Sequence, residues 1–252
     1  MKKIITLIAI CLFIAKVNAQ VFIDKATIEY ESTQNIKKNM GSGAWQESMA
    51  EKMPALQTSY YNLTIADNKS VFKFDRIKDK EKFPEWFARD VKTVWFNDFN
   101  TGKMSQEKDM IGTVVNVEDS IAKMEWRLTS ESRVIAGFNC KKAVSKIFDS
   151  VYVFAFYTEE ITVSAGPASI NGLPGTILGL TIPRLFTSWI ATKINVTNVD
   201  VSALKPFTAK KPYTNASLRK FIDERSADWW EGDDEKEENK QQKNRFIWGM
   251  LL

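Results

Sequence analysis

Carboxylates are the side chains of this sequence that could carry out acid–base chemistry, because the 252-residue chain contains no histidine. The absence of histidine excludes Ser-His-Asp and Cys-His catalytic groups and every His-ligated metal site. Glu159 and Glu160 are neighbours that follow the apolar segment VYVFAFY (151–157). Adjacent strand residues point to opposite faces, so these two carboxylates are not expected to act on each other. Glu159 could still act with a distant carboxylate, as in a carboxylate-dependent hydrolase.

The cysteines give no second candidate for catalysis. Cys140 lies between apolar residues in GFNCKKA (137–143), a setting typical of a buried small side chain. Cys11 lies in the N-terminal segment that we expect to be removed, so no disulfide is expected within the mature chain. We therefore predict no catalytic residue, no metal site and no cofactor.

The first 19 residues have the pattern of a secretory signal peptide. Lys2 and Lys3 precede an apolar run, and Val17-Asn18-Ala19 is a small-residue cleavage site. Removal of residues 1–19 lowers the basic count from 35 to 32 against 31 acidic residues, so the net charge falls from +4 to +1. We expect an exported protein of the periplasm or outer-membrane surface, with no transmembrane segment in the mature chain and no nucleic-acid partner.

The rest of the chain is dominated by alternation of apolar and polar residues. In KATIEYEST (25–33), Ala26, Ile28 and Tyr30 share one face, as in a half-buried strand. Short segments of this kind recur to about residue 203, which predicts one mainly β domain (α+β class) over 20–214 with a twisted antiparallel sheet. Two of the predicted strands cover 122–128 and 133–137. The segment 151–157 is apolar on both faces, so a helix or loop should cover part of it.

Helical patterns occur at two places. Residues 82–90 can form a short helix with Pro84 in its first turn. Residues 215–252 read as a C-terminal helix, a charged run (228–245) and an apolar tail, FIWGMLL (246–252). The tail could dock onto the domain or contact a partner or membrane surface. The segment 39–48 reads as a loop.

The stretch NGLPGTILGL (171–180) combines turn residues with apolar ones. Pro174 suits the second position of a type II turn, and Gly175 can supply the positive φ needed at the third. Ile177, Leu178 and Leu180 then predict a buried strand.

Several motifs in this region carry a family resemblance. W-x-L-T-x-E (126–131), I-x-G-F-x-C-x-K-A (135–143), Y-T-x-E (157–160) and GLPG (172–175) occur in this order. Together they resemble the GLPGLI family, exported proteins of Gram-negative bacteria. Gly166-Pro167 lies between the last two motifs and belongs to the same set, and the resemblance makes Gly137, Cys140, Gly166, Pro167 and Gly172 its family-motif residues. The resemblance implies no known activity, and by analogy it suggests the half-barrel of periplasmic lipoprotein carriers.

Two short patterns predict modification. Asp119-Ser120-Ile121 and Asp149-Ser150-Val151 are similar to the O-glycosylation acceptor of the same bacterial group, which makes Ser120 and Ser150 the candidate sites.

Taken together, these features favour a non-enzymatic binding or assembly protein of the cell envelope over an enzyme. Its site would be an apolar groove beside the GLPG turn that takes a lipid, a peptide or an outer-membrane protein. The residues predicted to line it are Leu173, Pro174, Gly175, Trp126, Phe154, Phe156 and Tyr157. The alternatives are a carboxylate-dependent hydrolase and a structural partner of an outer-membrane transporter.

Overall fold

The computed structural model describes residues 22–40, 48–49, 51–84, 93–110, 113–148, 150–230 and 237–252. The predicted signal peptide (1–19) lies outside the described residues. So do most of the predicted helix at 82–90 and most of the predicted loop at 39–48.

Strands dominate the described part of the chain. They are β1 (Ala26–Asn35), β2 (Leu56–Ala66), β3 (Lys69–Ile77), β4 (Val94–Asp98), β5 (Lys103–Met110), β6 (Thr113–Ser120), β7 (Arg127–Ile135), β8 (Phe138–Ile147), β9 (Val151–Thr158), β10 (Thr176–Ile182) and β11 (Thr187–Asn195). The described residues also form the α-helices α1 (Ile36–Met40), α2 (Asn215–Arg225) and α3 (Glu237–Leu251).

All these strands belong to one antiparallel sheet. Its order is β6-β5-β4-β3-β2-β1-β11-β10-β9-β8-β7, so two meanders meet where the first strand pairs with the last. The sheet is open, with β6 and β7 at its edges. The prediction of a mainly β protein with a twisted antiparallel sheet and a C-terminal helix is confirmed, and the C-terminal part contains two helices, α2 and α3.

Alternation in β1 positions the centre of the core. Ala26, Ile28 and Tyr30 have no exposed surface, as the sequence predicts. The hydroxyl of Tyr30 donates a hydrogen bond of 2.6 Å to the carbonyl of Ile177 in β10. Complete burial of a side chain of this kind contributes about 1.5–3 kcal/mol, and the hydrogen bond satisfies its polar end. Tyr30 therefore links β1 to β10 across β11.

The outward face of β9 is covered differently from the prediction. Val151, Val153, Ala155 and Tyr157 point into the core, whereas Tyr152 is exposed. The outward rings of Phe154 and Phe156 lie under cations, at 5.5 Å from Lys142 of β8 and 4.0 Å from Arg133 of β7 respectively. Side chains of the sheet, not a helix or loop, therefore shield these rings, and cation–π attraction favours this arrangement.

One pair of predicted strands is wrong. The sequence predicts strands at 122–128 and 133–137, whereas the structure has the single strand β7 and no regular structure over 121–126. Trp126, whose position fits the alternating pattern, donates its indole N–H to the carbonyl of Asn171 at 2.9 Å. The apolar residues before β7 thus pack on the GLPG turn instead of forming a ladder.

The C-terminal helices pack on the sheet. A reciprocal capping box between Thr214 and Ser217 begins α2, which satisfies free backbone N–H groups of the first turn. The buried residues Leu218 and Ile222 of α2 pack with Val117 of β6. The apolar tail forms the end of α3, and Ile247 and Trp248 are buried. The tail therefore docks onto the domain.

Candidate functional site

A cavity of about 850 Å³ lies between one face of the sheet and α3. Its volume is within the range of about 300–1,000 Å³ that is common for small-molecule sites. Strands β1 to β5 and β11 supply one wall, and α3 supplies the other. Besides aliphatic residues such as Leu185 and Met250, the side chains that line it are of three kinds, namely aromatic rings, uncharged polar groups and cations.

The aromatic rings come from neighbouring strands. Leu63 of β2 pairs with Phe72 of β3, which pairs with Trp95 of β4, so alternation places these side chains on one face. Tyr61 stacks on Phe72 with ring centroids 5.0 Å apart, and Phe72 lies 5.4 Å from Trp95. Burial raises the pKa of Tyr61 to about 12, so its hydroxyl stays protonated at neutral pH. These rings form a continuous aromatic surface along one wall of the cavity.

The uncharged polar groups lie in rows across β2, β1 and β11. Gln34 pairs with Gln57 on one side and with Thr187 on the other. Two residues along β1, Ser32 pairs with Ser59 and with Trp189. All six residues line the cavity. Polar side chains on the inward face of strands are costly unless they find partners, so a polar ligand would match this wall well.

Trp189 has a particular place in this wall. Its side chain is buried, and its indole N–H has no hydrogen-bond acceptor within the described part of the chain. Buried indole N–H groups usually have a partner. Trp189 can therefore offer a hydrogen bond to an oxygen atom of a bound molecule.

The cations are Lys108 of β5 and Arg245 of α3. Lys108 is 6% exposed, and its ammonium donates a hydrogen bond of 2.6 Å to the carbonyl of Met250. Burial lowers the pKa of Lys108 from 10.5 to about 7. The guanidinium of Arg245 lies 5.6 Å from the ring centroid of Phe186.

Two hydrogen bonds fix the end of α3 over the cavity. Besides the bond from Lys108, the indole N–H of Trp95 donates to the carbonyl of Leu252 at 2.9 Å. Both acceptors belong to the last turn, where backbone carbonyls have no partner within the helix. The sheet thus holds the helix that covers the cavity.

The residues singled out in the sequence occupy other places. Leu173 is buried in the core, and Pro174 is exposed. Gly175 has a φ of +144° and donates its N–H to the carbonyl of Leu173 at 2.8 Å, while Thr176 donates to the carbonyl of Ile161. The segment therefore makes a tight three-residue turn, and the predicted type II turn is wrong because Thr176 is used to pair with a different segment.

The other predicted ligand-binding residues also lie outside the cavity wall. Trp126 contacts Asn171, Phe154 and Phe156 face outward under cations, and Tyr157 is buried in the core. The cavity is lined by none of the seven residues that were predicted to bind a ligand.

The family-motif residues allow turns and close packing of the backbone. Gly137 has a φ of +88° in the turn between β7 and β8, and Cys140 is fully buried, which raises the pKa of its thiol to about 11. A Cβ on Gly166 would lie 2.7 Å from the carbonyl oxygen of Ile170, and Pro167 begins the adjoining 3-10 helix. A Cβ on Gly172 would lie 3.4 Å from the indole nitrogen of Trp126. These requirements concern turns and packing.

The predicted modification sites are accessible. Ser120 and Ser150 are exposed, and the hydroxyl of Ser150 accepts a hydrogen bond of 3.0 Å from Arg184. Asp149 lies outside the described residues. O-glycosylation at either serine stays a prediction.

The carboxylate candidate is engaged in an ion pair. Both oxygens of Glu159 accept hydrogen bonds of 2.9 Å from Lys141, and both side chains are substantially exposed. Over the described ranges, no cluster of three or more acidic or cysteine side chains could hold a metal ion. Nor does any helix in those ranges combine the length and hydropathy needed to cross a membrane.

Sequence reasoning missed the cavity, although one signal was present. Ser32 and Gln34 continue the buried face of β1, and Gln57 and Ser59 do the same in β2. Polar residues that take the inward positions of two alternating segments indicate a polar site on the buried face of a sheet.

Comparison with known proteins identifies the family. The sequence model described as "N-glycanase peptide, N-terminal domain" (PNGase F-II) matches residues 61–219. A solved structure of PNGF-II in space group P21 has a TM-score of 0.50 and 18% identity, and the alignment covers 79% of this chain and 33% of that one. A second, in space group C2, has a TM-score of 0.49 and 18% identity, with 75% and 30% covered. The chain thus spans about a third of the length of these structures. No curated protein matches the chain.

These findings correct two interpretations. The resemblance to the GLPGLI family is wrong, because the motifs that carry it specify turns and packing, which do not identify a family by themselves. The predicted function is wrong too, namely a binding or assembly protein of the cell envelope with an apolar groove at the GLPG turn. The same holds for its two alternatives, a carboxylate-dependent hydrolase and a structural partner of an outer-membrane transporter. The family match covers well over half of the sequence. The chain belongs to the family described as "N-glycanase peptide, N-terminal domain" (PNGase F-II).

Proposed function

We propose that this chain recognises the glycan of N-glycosylated proteins and so serves their deglycosylation, with the cavity under α3 as its glycan site. Family membership supports this proposal, because the name peptide N-glycanase denotes action on a glycan that is joined to a peptide. The observation that carries the proposal is the lining of one cavity by aromatic rings and by amide and hydroxyl groups that share one face of the sheet.

Sugars have the surface that such a lining fits. Each ring presents C–H groups on its faces and hydroxyl or acetamido groups around its edge. Aromatic side chains provide flat apolar surfaces for the former, and Trp also has an N–H donor. Amide side chains both donate and accept hydrogen bonds, which suits the latter. A purely apolar lining would instead leave the sugar hydroxyls without partners, at a cost of about 1–3 kcal/mol each.

The positions of particular residues strengthen the argument. Trp95 and Trp189 lie on either side of the central strands β1 to β3, and both line the cavity. The row of Gln57, Gln34 and Thr187 lies on the same face of the sheet as the row containing Trp189. A sugar bound against Trp189 would therefore have hydrogen-bonding groups within the next row of the sheet.

Calorimetric titration with a chitobiose-asparagine glycopeptide tests the proposal. We expect saturable binding of the glycopeptide and no binding of the same peptide without the glycan. Gln57→Leu should weaken binding roughly three- to tenfold, the worth of one net hydrogen bond of about 0.5–1.5 kcal/mol. Asn62→Leu is the matched control, because Asn62 lies on the same strand and does not line the cavity.

Binding that is equally strong for the unglycosylated peptide would refute the proposal. So would wild-type affinity in Gln57→Leu together with a loss of affinity in Asn62→Leu, since the site would then lie on the other face of the sheet. A melting curve of each variant separates loss of binding from loss of the fold.

We further propose that the protein is exported to the periplasm or the outer-membrane surface. The basic and apolar pattern of residues 1–19 supports this, and glycoprotein ligands are consistent with an extracytoplasmic site. Mass spectrometry of the protein from its native cells should find a mature N-terminus at Gln20. Recovery of the protein with residues 1–19 intact in the cytoplasmic fraction would contradict the proposal.

A further inference from the structure

We infer that the cavity takes a glycan that carries an acidic sugar, with Lys108 and Arg245 as the counter-ions of the sugar carboxylate. The inference rests on the proposed function and names the ligand class for the same site. A neutral glycan would find partners in the aromatic rings and amide groups alone. The two cations are therefore the feature that favours an acidic glycan over a neutral one.

The charge of the lining side chains is one-sided. Among the described side chains that line the cavity, those of Lys108 and Arg245 are the charged ones, and neither Asp nor Glu contributes. Arg245 also lines an adjoining cavity of about 360 Å³, to which Glu237 of α3 contributes. Two cations that line one confined space repel each other and attract an anion.

Lys108 has capacity left for such an anion. An ammonium group has three N–H donors, and the structure assigns one of them, to the carbonyl of Met250 at 2.6 Å. No carboxylate of the described ranges lies within ion-pair distance of this ammonium. A buried charge is costly unless an opposite charge accompanies it, so a bound carboxylate would supply what the fold lacks.

Arg245 also has a hydrogen-bond donor that is available for an anion. The Nε–H of Arg245 is buried and has no acceptor within the described part of the chain. Its guanidinium faces the ring of Phe186 at 5.6 Å, an arrangement that leaves the planar edge for hydrogen bonds. Guanidinium groups bind carboxylates through two parallel hydrogen bonds. Lys108 and Arg245 approach the cavity from opposite walls, the sheet and α3.

The surroundings of Lys108 make the binding of an acidic sugar depend on pH. The ammonium lies 5.9 Å from the Trp95 ring of β4 and bonds to the carbonyl of Met250 of α3. Arg245 of α3 lines the same cavity, and Val115 of β6 is the cross-strand partner of Lys108. Burial lowers the pKa of Lys108 to about 7. A carboxylate beside it favours the charged form and raises this pKa again. Binding of the acidic sugar slightly above neutral pH should therefore take up a proton.

A pair of small ligands tests the inference on the full chain. Methyl β-D-glucuronide and methyl β-D-glucoside differ by a carboxylate in place of a hydroxymethyl group. At pH 6 we expect the glucuronide to bind at least tenfold more tightly than the glucoside. At pH 8, calorimetry in phosphate and in Tris buffer should show uptake of close to one proton per glucuronide bound and none for the glucoside. Acetate should bind at least tenfold more weakly than the glucuronide.

Variants locate the effect. Lys108→Met keeps the aliphatic stem and removes the charge, so the variant should bind the glucuronide and the glucoside about equally. It should still bind the glucoside, and it should take up no proton with the glucuronide. Arg245→Gln should reduce the preference in part and leave proton uptake in place. Lys146→Met is the matched control, because Lys146 is exposed on β8 and does not line the cavity. If Lys108→Met fails to fold, the wild-type ligand series and Arg245→Gln decide the question.

The outcomes separate the inference from the proposed function. Equal affinity for the glucuronide and the glucoside overturns the inference and leaves glycan recognition standing. Equal affinity for acetate and the glucuronide also overturns it, because the site would then hold an adventitious ion only. Absence of binding by both sugars and by the glycopeptide overturns the proposed function as well.

Discussion

Replacement of Gly175 by alanine should be among the most damaging single-methyl changes in this fold. Gly175 has a φ of +144°, a conformation that is essentially restricted to glycine. An added Cβ would lie 2.0 Å from the carbonyl oxygen of Thr158 and 3.1 Å from the Cα of Glu159. Thr158 pairs with Thr176 where β9 and β10 meet, so the obstacle is backbone and cannot rotate away.

The cost follows from these distances. Real Cβ atoms essentially never approach other atoms closer than 3.0 Å, so the two chain segments must separate by about 1 Å. That separation breaks one or two hydrogen bonds near Thr176, at about 0.5–1.5 kcal/mol each. The backbone conformation adds about 1–3 kcal/mol of strain. The free energy of unfolding should fall by about 1.5–6 kcal/mol, a large part of the 5–15 kcal/mol that is typical of a domain.

Urea unfolding followed by circular dichroism measures this loss. Gly137→Ala is the matched control, because Gly137 also has a positive φ, +88°, but a Cβ there would meet nothing within 4 Å. It should cost only about 1–2 kcal/mol for the left-handed conformation. If both variants lose the same free energy of unfolding, the close approach of Gly175 to Thr158 is not what fixes the GLPG turn.

Three further predictions concern the core, the buried cation and the covering helix. Tyr30→Phe removes the buried hydroxyl that bonds to Ile177 and leaves that carbonyl without its partner, so urea unfolding should show a loss of about 1–3 kcal/mol; an unchanged midpoint would contradict it. The pKa of Lys108 is about 7 in the fold and about 10.5 when unfolded, so the unfolded state binds more protons between these values and stability should rise from pH 7 to 8.5. Thermal melting of Lys108→Met should lack this rise, and an identical pH profile would refute the assignment. Trp95→Phe removes the hydrogen bond to Leu252, so amide hydrogen exchange in the last turn of α3 should accelerate severalfold, and unchanged protection would show that this bond does not hold the helix.

Local patterns predicted the fold because the buried face of each strand is a local property. The positions of Ala26, Ile28 and Tyr30 in β1 follow from a period of two alone. The same reasoning failed near Trp126, since a tryptophan that packs on a turn and one that lies in a strand produce the same alternation. The resemblance to the GLPGLI family failed for a related reason. Glycines such as Gly175 are required by the backbone geometry of a turn, and such a requirement does not identify a family.

The candidate site was beyond local reasoning because its walls come from distant parts of the chain. Gln34, Gln57 and Thr187 become neighbours only through the register of three strands. Lys108 reads as an ordinary strand lysine until α3 covers it and Met250 accepts its hydrogen bond. Burial of this cation depends on a contact between residues 142 positions apart, which no short pattern encodes.

A structure of the chain in complex with the chitobiose-asparagine glycopeptide would test the central claim most directly. We expect density for the sugars between the sheet and α3, in contact with Trp189 and Gln57. Sugars bound elsewhere on a saturated protein, for example at the GLPG turn, with only solvent between Trp189 and α3, would contradict it.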